Sequence, residues 1–286
     1  MGEQSVCDLI VSKYDKLTKQ TKTVADYVLA NRKETQYMSI TTLADNCGVA
    51  DATVYRLCRT LGFSGYNDFK LALVKGNGKR PLDMPLGLDG NVTMEDSIGD
   101  MSKKLYSVNA SALADTLTRL DPRSIDKAVD TLKKARSVYC LGFGGSMVIA
   151  MEAVSRFATI TNKFRQISDT HMQAMAIALS GPEDVILLFS FSGATRDMME
   201  TLRVVKETGA KVILITHYED SPGAKLADIV LLCGAQESPL DSGSIPIKVA
   251  VLYVAEVLVL RYILDDKTGS TEAQERTTEA LAVKLL

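Results

Sequence analysis

Two hydrophobic periods divide this chain. Up to residue 135 apolar positions recur three and four apart, the spacing of helices with one buried face. Leu17, Val24, Val28 and Leu29 fall near one face of a helix over 18–30. Residues 39–46 (SITTLADN) then form a short helix with hydroxyl residues at its start, where side-chain oxygens cap free N–H groups. Cys47-Gly48-Val49 makes a tight turn, and a second helix over 51–61 is stopped by Gly62. Short helix, glycine turn and helix is the spacing of a helix-turn-helix. Further helices are expected over 97–119 and 122–135.

From residue 136 short apolar runs alternate with helical stretches. Strands are expected at 137–141, 163–167, 184–189, 211–216 and 229–232. Helices over 146–159, 170–179 and 195–208 separate the first four, and a short 221–227 piece separates the last two. Such alternation builds a parallel sheet covered on both faces. A last apolar helix is expected over 247–264. The stretch 75–92 collects Gly76, Gly78, Pro81, Pro85, Gly87 and Gly90 and loses apolar periodicity, so it is expected to be a linker. The expected organisation is an all-α helix-turn-helix domain over 1–76, a linker over 77–96 and an α/β domain over 97–286. The latter is predicted to hold a five-stranded parallel sheet in flavodoxin-like order, preceded by helices and followed by a helical tail.

Charge sharpens this division. The first eighty residues carry twelve Lys/Arg against eight Asp/Glu, whereas the whole 286-residue chain has net charge −2. A basic head on an acidic body suits a nucleic-acid-binding domain on a soluble partner domain. The five cysteines form no C-x-x-C pair, so neither a disulfide framework nor a zinc site is expected, and a reducing cytosol fits. No signal-peptide pattern and no long apolar run appear, so no membrane partner is expected.

A recognition helix reads base edges from its first turns. In the helix over 51–61, Val54, Leu57 and Leu61 should face the core, with Thr53, Arg56 and Arg59 on another face. Arginine can pair with guanine or clamp phosphate. Lys70, on the next helix, suits a backbone phosphate. The plain alternative is a solvated basic helix.

Two loops carry the other candidate chemistry. The first strand ends in Leu141-Gly142-Phe143-Gly144-Gly145-Ser146, and the third in Phe189-Ser190-Phe191-Ser192-Gly193-Ala194-Thr195. Each leads into a helix, whose N-terminal N–H groups and partial positive charge favour an anion. Gly144 and Gly193 allow close backbone approach, and Ser146, Ser190, Ser192 and Thr195 offer hydroxyl donors. In flavodoxin-like order strands one and three flank the point where ligands bind. Two competing readings are a dinucleotide loop, argued against by Met147 where a third glycine belongs, and simple helix capping. No metal or cofactor is expected.

The stretch Met38-Ser39-Ile40 … Leu43-Ala44 … Gly48-Val49 … Ala52-Thr53-Val54 … Arg56 … Leu61-Gly62-Phe63-Ser64-Gly65-Tyr66 … Phe69-Lys70 resembles the N-terminal domain of the RpiR family of bacterial regulators. That family has serine where this chain has Ala50; either Asp51 caps in its place or the first turn is weaker. Residues 108–264 resemble the sugar isomerase (SIS) domain, through Gly142-x-Gly144-x-Ser146, Ser190-x-Ser192-Gly193-x-Thr195, Gly209-Ala210, Ile215-Thr216 and Ser221-Pro222 … Ala227-Asp228. The resemblance implies that Ser146, Ser190, Ser192 and Thr195 bind a sugar phosphate. It further implies a transcriptional regulator of carbohydrate genes, a homodimer or homotetramer whose affinity for double-stranded operator DNA responds to a phosphorylated sugar. Arg196 replaces an acidic or amide residue of the family, and either adds positive charge near the ligand or faces solvent.

SIS domains also serve ketose–aldose phosphate isomerases, the alternative here. Isomerisation needs acid–base groups. His171 and His217 are the only histidines, either could reach the crevice, and each is more often a polar loop residue. Glu237 could lie near the ligand. The fused DNA-binding domain favours a sensor with no catalytic residues. An excess of Val and Leu over one buried face marks the 247–264 helix, and with it the 272–286 segment, as an interface candidate.

Overall fold

The computed structural model describes residues 5–36, 38–75, 92, 93, 95–235 and 244–284. Most of the expected linker, together with Glu237, lies outside them. The chain divides into two compact units, one within Met1–Ser107 and the other built from Val108–Ala235 and Ile245–Leu286.

The first unit holds helices α1 (Val6–Lys13), α2 (Lys19–Ala30), α3 (Arg32–Thr35), α4 (Ile40–Asn46), α5 (Asp51–Leu61) and α6 (Tyr66–Lys75). Their starts are set by polar caps. Ser5 and Asp8 form a reciprocal capping box on α1, Thr18 accepts from the Thr21 N–H at α2, and Ser39 accepts from the Thr42 N–H at 2.9 Å. One core joins these helices, with Ile10, Val24, Val28, Leu43, Val54, Leu57, Leu61 and Phe69 buried in it. The Leu-Gly-Phe-x-Gly-Tyr segment is part of that core: Phe63 meets Phe69 edge to face, and the Tyr66 hydroxyl donates to the Met38 carbonyl at 3.1 Å. Lys13 closes α5 by donating to the Thr60 and Leu61 carbonyls at 3.0 and 3.1 Å, groups a helix C-terminus leaves unpaired.

Helix α7 (Ile98–Arg119) belongs to both units, its residues from Val108 onward to the second. In that unit α8 (Pro122–Lys134) is capped by Asp121, which accepts from the Arg123 and Ser124 N–H groups. The sheet follows, with β1 (Ser137–Gly142), β2 (Phe164–Gln166), β3 (Asp184–Phe189), β4 (Lys211–Thr216) and β5 (Ile229–Leu232). Its order is β2-β1-β3-β4-β5 and every pairing is parallel, the expected flavodoxin-like arrangement. The connecting helices are α9 (Ser146–Ala158), α10 (Thr170–Ala178) and α11 (Arg196–Thr208), and α12 (Ile245–Asp265) and α13 (Lys267–Ala282) complete the unit.

Alternate strand residues feed two cores. Val138, Cys140, Val185, Leu187, Ile213 and Ile215 pack with α8, α9 and α12 on one face. Leu141, Ile186, Leu188, Val212 and Leu214 pack with α10 and α11 on the other. Burial on both faces explains why these strands read as continuous apolar runs. At the start of β3 the fully buried Asp184 accepts two hydrogen bonds from Arg136, at 2.8 and 3.2 Å, and one from the Gly181 N–H at 2.9 Å. These bonds compensate a charge that would otherwise be costly to bury. Strand β2 is shorter than expected because the Ile167 carbonyl accepts from the Gln173 amide at 2.6 Å instead of continuing the ladder. No described helix is long and apolar enough to cross a membrane, and all five cysteines are free thiols.

Candidate ligand crevice and DNA interface

Helix α5 buries Thr53, Val54, Leu57, Cys58 and Leu61. Its solvent face is therefore Ala52, Tyr55, Arg56, Arg59 and Thr60, residues that fall one above the other at helical spacing. Thr53 departs from the expected outward face: at 5 % exposure it lies with the core stripe, four residues before Leu57. Tyr55 takes its place on the exposed face, where it is 47 % exposed. Asp51 does not cap the helix through its side chain either. Ala50 is the uncapped N-cap residue, and the Asp51 carboxylate accepts from the Thr41 hydroxyl at 3.0 Å, tying α5 to α4. Arg56 is exposed. Arg59 is exposed as well, but its guanidinium reaches the Phe63 and Ser64 carbonyls at 3.3 and 3.4 Å, so it also holds the turn into α6. The Lys70 ammonium lies 5.8 Å from the centre of the Tyr66 ring.

In the second unit, strands β1 and β3 are neighbours with Gly142 opposite Phe189, so the loops that follow them emerge side by side at the carboxyl edge of the sheet. The first passes through Gly144, at φ 55°, into α9; the second passes through Gly193, at φ 58°, into α11. Capping distinguishes these two helices. Polar side chains hydrogen-bond the first N–H groups of α8, α10 and α13. By contrast, the N-cap residues of α9 and α11 are Gly145 and Thr195, and neither helix has a side-chain cap bond. The start of α9 is closed by backbone turns, the Ser146 and Met147 N–H groups donating to the Phe143 and Gly144 carbonyls at 3.2 and 3.1 Å, whereas no side chain caps the first N–H groups of α11.

The hydroxyls point the same way. Ser190 is buried and Ser146 half-buried, yet neither hydroxyl is hydrogen-bonded to a described residue. Ser192 accepts a long bond, 3.4 Å, from the Ala194 N–H. Simple capping thus does not account for the serines and threonine of the two loops. The second loop is held from behind: the Gly193 carbonyl accepts from the Gly223 N–H at 2.8 Å, and the Phe191 carbonyl accepts from the Thr216 hydroxyl at 3.0 Å.

Arg196 turns away. Its side chain is 90 % exposed and donates to Glu200 at 2.9 Å, settling the two alternatives in favour of solvent. His171 is exposed at the start of α10. The His217 ring is stacked on Phe191 at 4.9 Å, and its Nδ1 is 3.0 Å from the Cys233 carbonyl. Burial, aided by nearby Arg119, holds its pKa below the usual histidine value. No cluster of His, Cys, Asp or Glu among the described residues could hold a metal ion.

A helical unit with a helix-turn-helix, joined to a five-stranded parallel sheet of SIS type, defines a class of bacterial transcriptional regulators. Residues 4–78 match the model of the RpiR-family helix-turn-helix domain, and residues 131–261 match that of the SIS domain. The HexR transcriptional regulator of Pseudomonas aeruginosa is 30% identical over 230 residues, covering 80% of this chain and 78% of HexR. The chain belongs to the RpiR family of helix-turn-helix transcriptional regulators. A solved structure of Vibrio vulnificus NanR complexed with ManNAc-6P has a TM-score of 0.86 and 27% identity, over 97% of this chain and 99% of NanR. The sugar isomerase domain of an RpiR transcription factor from Sphaerobacter thermophilus superposes with TM-score 0.56 at 19% identity, over 63% of this chain and 98% of its own, a likeness of fold alone.

Proposed function

We propose that this regulator binds a phosphorylated sugar in the crevice between residues 142–146 and 190–195, and that occupancy changes its affinity for operator DNA. The observation that carries the reading is the pair of adjacent helices whose N-termini lack side-chain caps while Ser146, Ser190, Ser192 and Thr195 stand around them. Two such helix ends at one switch point suit a phosphate monoester, and the NanR structure holds a sugar phosphate. Residues 1–76 serve as the DNA-binding part and 97–286 as the sensing part, acting in the cytoplasm where the DNA lies. A sensor accounts for the described histidines better than an isomerase does: His217 is engaged with Cys233 and Phe191, and relatives are named as regulators.

The DNA arm is tested with an operator fragment selected by the wild-type protein from a random pool. Arg56→Ala is expected to weaken binding by about 1–3 kcal/mol if Arg56 reads a base, or to lower the salt slope if it clamps phosphate. Arg59→Ala should lose less, because Arg59 also bonds the turn. Mobility shifts that leave Arg56→Ala with wild-type affinity and salt slope would remove α5 from the interface. In the same binding mixtures, a panel of hexose, pentose and amino-sugar phosphates should include one that changes the wild-type affinity.

A symmetric operator reader is expected to be a homodimer at least. In the second unit α9 and α12 form a groove of about 770 Å³ lined by Val148, Met151, Leu252 and Val259, and crossed by the Arg156–Glu256 pair. Val148 and Met151 are exposed on it. We assign this face to the second copy of the chain. Light scattering should give a dimer mass for the wild type and a monomer mass for Met151→Asp; a monomeric wild type at micromolar concentration contradicts the assignment.

A further inference from the structure

The ends of β4 and β5 lie on the side of β3 opposite β1, and helix α7 is bonded to both. His217 directly follows β4. Its N–H donates to the Phe191 carbonyl at 3.0 Å and its ring stacks on Phe191, a residue of the second loop. Its own carbonyl accepts from the Arg119 guanidinium at 3.1 Å. One residue thus joins the second loop to the last turn of α7. A second connection runs past the end of β5. The Cys233 carbonyl lies 3.0 Å from His217 Nδ1, and the next two N–H groups donate to α7. Gly234 donates to the Thr116 hydroxyl at 2.9 Å and Ala235 to the Asp115 carboxylate at 3.2 Å. Asp115 and Arg119 pair with each other at 3.5 Å.

Two observations set this junction apart from ordinary packing. Ala235 has a φ of 95°, and among the described residues it alone takes a positive φ without being glycine. Such a backbone persists only where its surroundings over-determine it, and the bond to Asp115 is part of what holds it. At Gly234 an added Cβ would lie 2.5 Å from the Thr116 nitrogen and 2.6 Å from the Asp115 Cβ. Helix α7 therefore rests on bare backbone here, with no side chain between to absorb a shift. Thr116 is fully buried, and its hydroxyl also donates to the Ala112 carbonyl at 2.7 Å, so it is fixed within its own helix. A close-packed contact of this kind passes displacement on. The helix it meets runs for 22 residues, from Ile98 among the residues of the first unit to Arg119 in the second.

We propose that Asp115, Thr116 and Arg119 are positioning residues that couple the second loop to α7, so that filling the crevice shifts the helix leading to the DNA-binding part. This rests on the reading that a ligand in the crevice changes operator affinity, and names the residues that carry the change. None of the three need touch the ligand. Their role is to tie the segments after β4 and β5 to one rigid element, which a ligand can then bias between two positions.

The test compares two quantities in the full-length protein. Isothermal titration gives the affinity for N-acetylmannosamine 6-phosphate and for the sugar-phosphate panel above. Mobility shifts give operator affinity with and without the ligand that binds. In the wild type, saturating ligand should change operator affinity by about fivefold or more, the usual size of a coupling between sites. Thr116→Val, Asp115→Ala and Arg119→Met should bind the ligand within about threefold of wild type, while the change in operator affinity shrinks to about twofold or less. Thr116→Val leaves the buried Gly234 N–H unpaired and should melt earlier; Arg119→Met, at a partly exposed side chain, carries the test if that variant does not fold. Thr116→Ser keeps the hydroxyl and should respond as the wild type does. A wild-type response in Asp115→Ala and Arg119→Met overturns the proposal and leaves the crevice reading standing. So does a response lost together with ligand affinity, since these residues would then only support the crevice. Equal loss in Thr116→Ser and Thr116→Val refutes the part assigned to the hydrogen bond. A wild type that binds the ligand without changing operator affinity sinks the sensor reading and this inference together, and one that binds no sugar phosphate sinks the crevice reading with them.

Discussion

Gly193→Ala is expected to cost about 2–5 kcal/mol of stability and to remove the ligand-induced rise in melting temperature. Two costs combine at this position. Gly193 sits at φ 58°, in the left-handed region where a side chain costs about 1–2 kcal/mol. A Cβ there would also overlap the Ser221 hydroxyl and lie 3.0 Å from the Thr216 hydroxyl, and both of those residues are buried at 0 % exposure. Forcing an extra methyl into a packed site costs about 1–3 kcal/mol more. The displaced neighbours hold the second loop in place, so its geometry should be lost with the stability. Gly144→Ala is the control. Its φ is 55° but no atom lies within 4 Å of the added carbon, so only the backbone cost of about 1–2 kcal/mol applies. Urea unfolding of both variants decides the matter: equal losses would mean that the contact with Ser221 relaxes without cost.

Elements buried on two sides were the most legible from sequence. Strands β3, β4 and β5 run over the residues expected of them because a parallel strand with both faces covered is a bounded apolar run. The edge strand β2 was overestimated, since nothing local announces that a glutamine will take the carbonyl of Ile167. On α5 the expected core of Val54, Leu57 and Leu61 was correct but too narrow. Thr53 shares the four-residue spacing of Leu57 and Leu61, and Cys58 widens the buried arc, so the outward face passes through Tyr55 rather than Thr53. A polar residue type concealed a core position, as threonine does when its methyl packs inward. The two loops could be found because glycine, serine and helix start coincide in a few residues.

The crevice itself is tested most sharply by removing its hydroxyls. Ser146→Ala and Ser190→Ala should each lose about 1.5–3 kcal/mol of sugar-phosphate affinity, tenfold or more, the value of a hydrogen bond to a charged group. Neither change should unfold the protein. Neither hydroxyl is hydrogen-bonded to a described residue, so its removal leaves no buried partner unsatisfied. Ser190 should show the larger effect, because it is 5 % exposed and its bond would form where water competes least. The double variant should show no measurable binding. If both serines hold the same phosphate, the two losses should also deviate from additivity, as groups sharing one partner do. Operator binding supplies the second readout. A ligand alters DNA affinity only by binding one conformation better than another, so a variant that cannot hold the ligand should bind operator as the wild type does and ignore the effector. Titrating the effector against a fixed operator complex separates the possibilities. A response shifted tenfold or more in each single variant, and absent in the double, fits the crevice. Responses at the wild-type concentration place the effector elsewhere in the molecule.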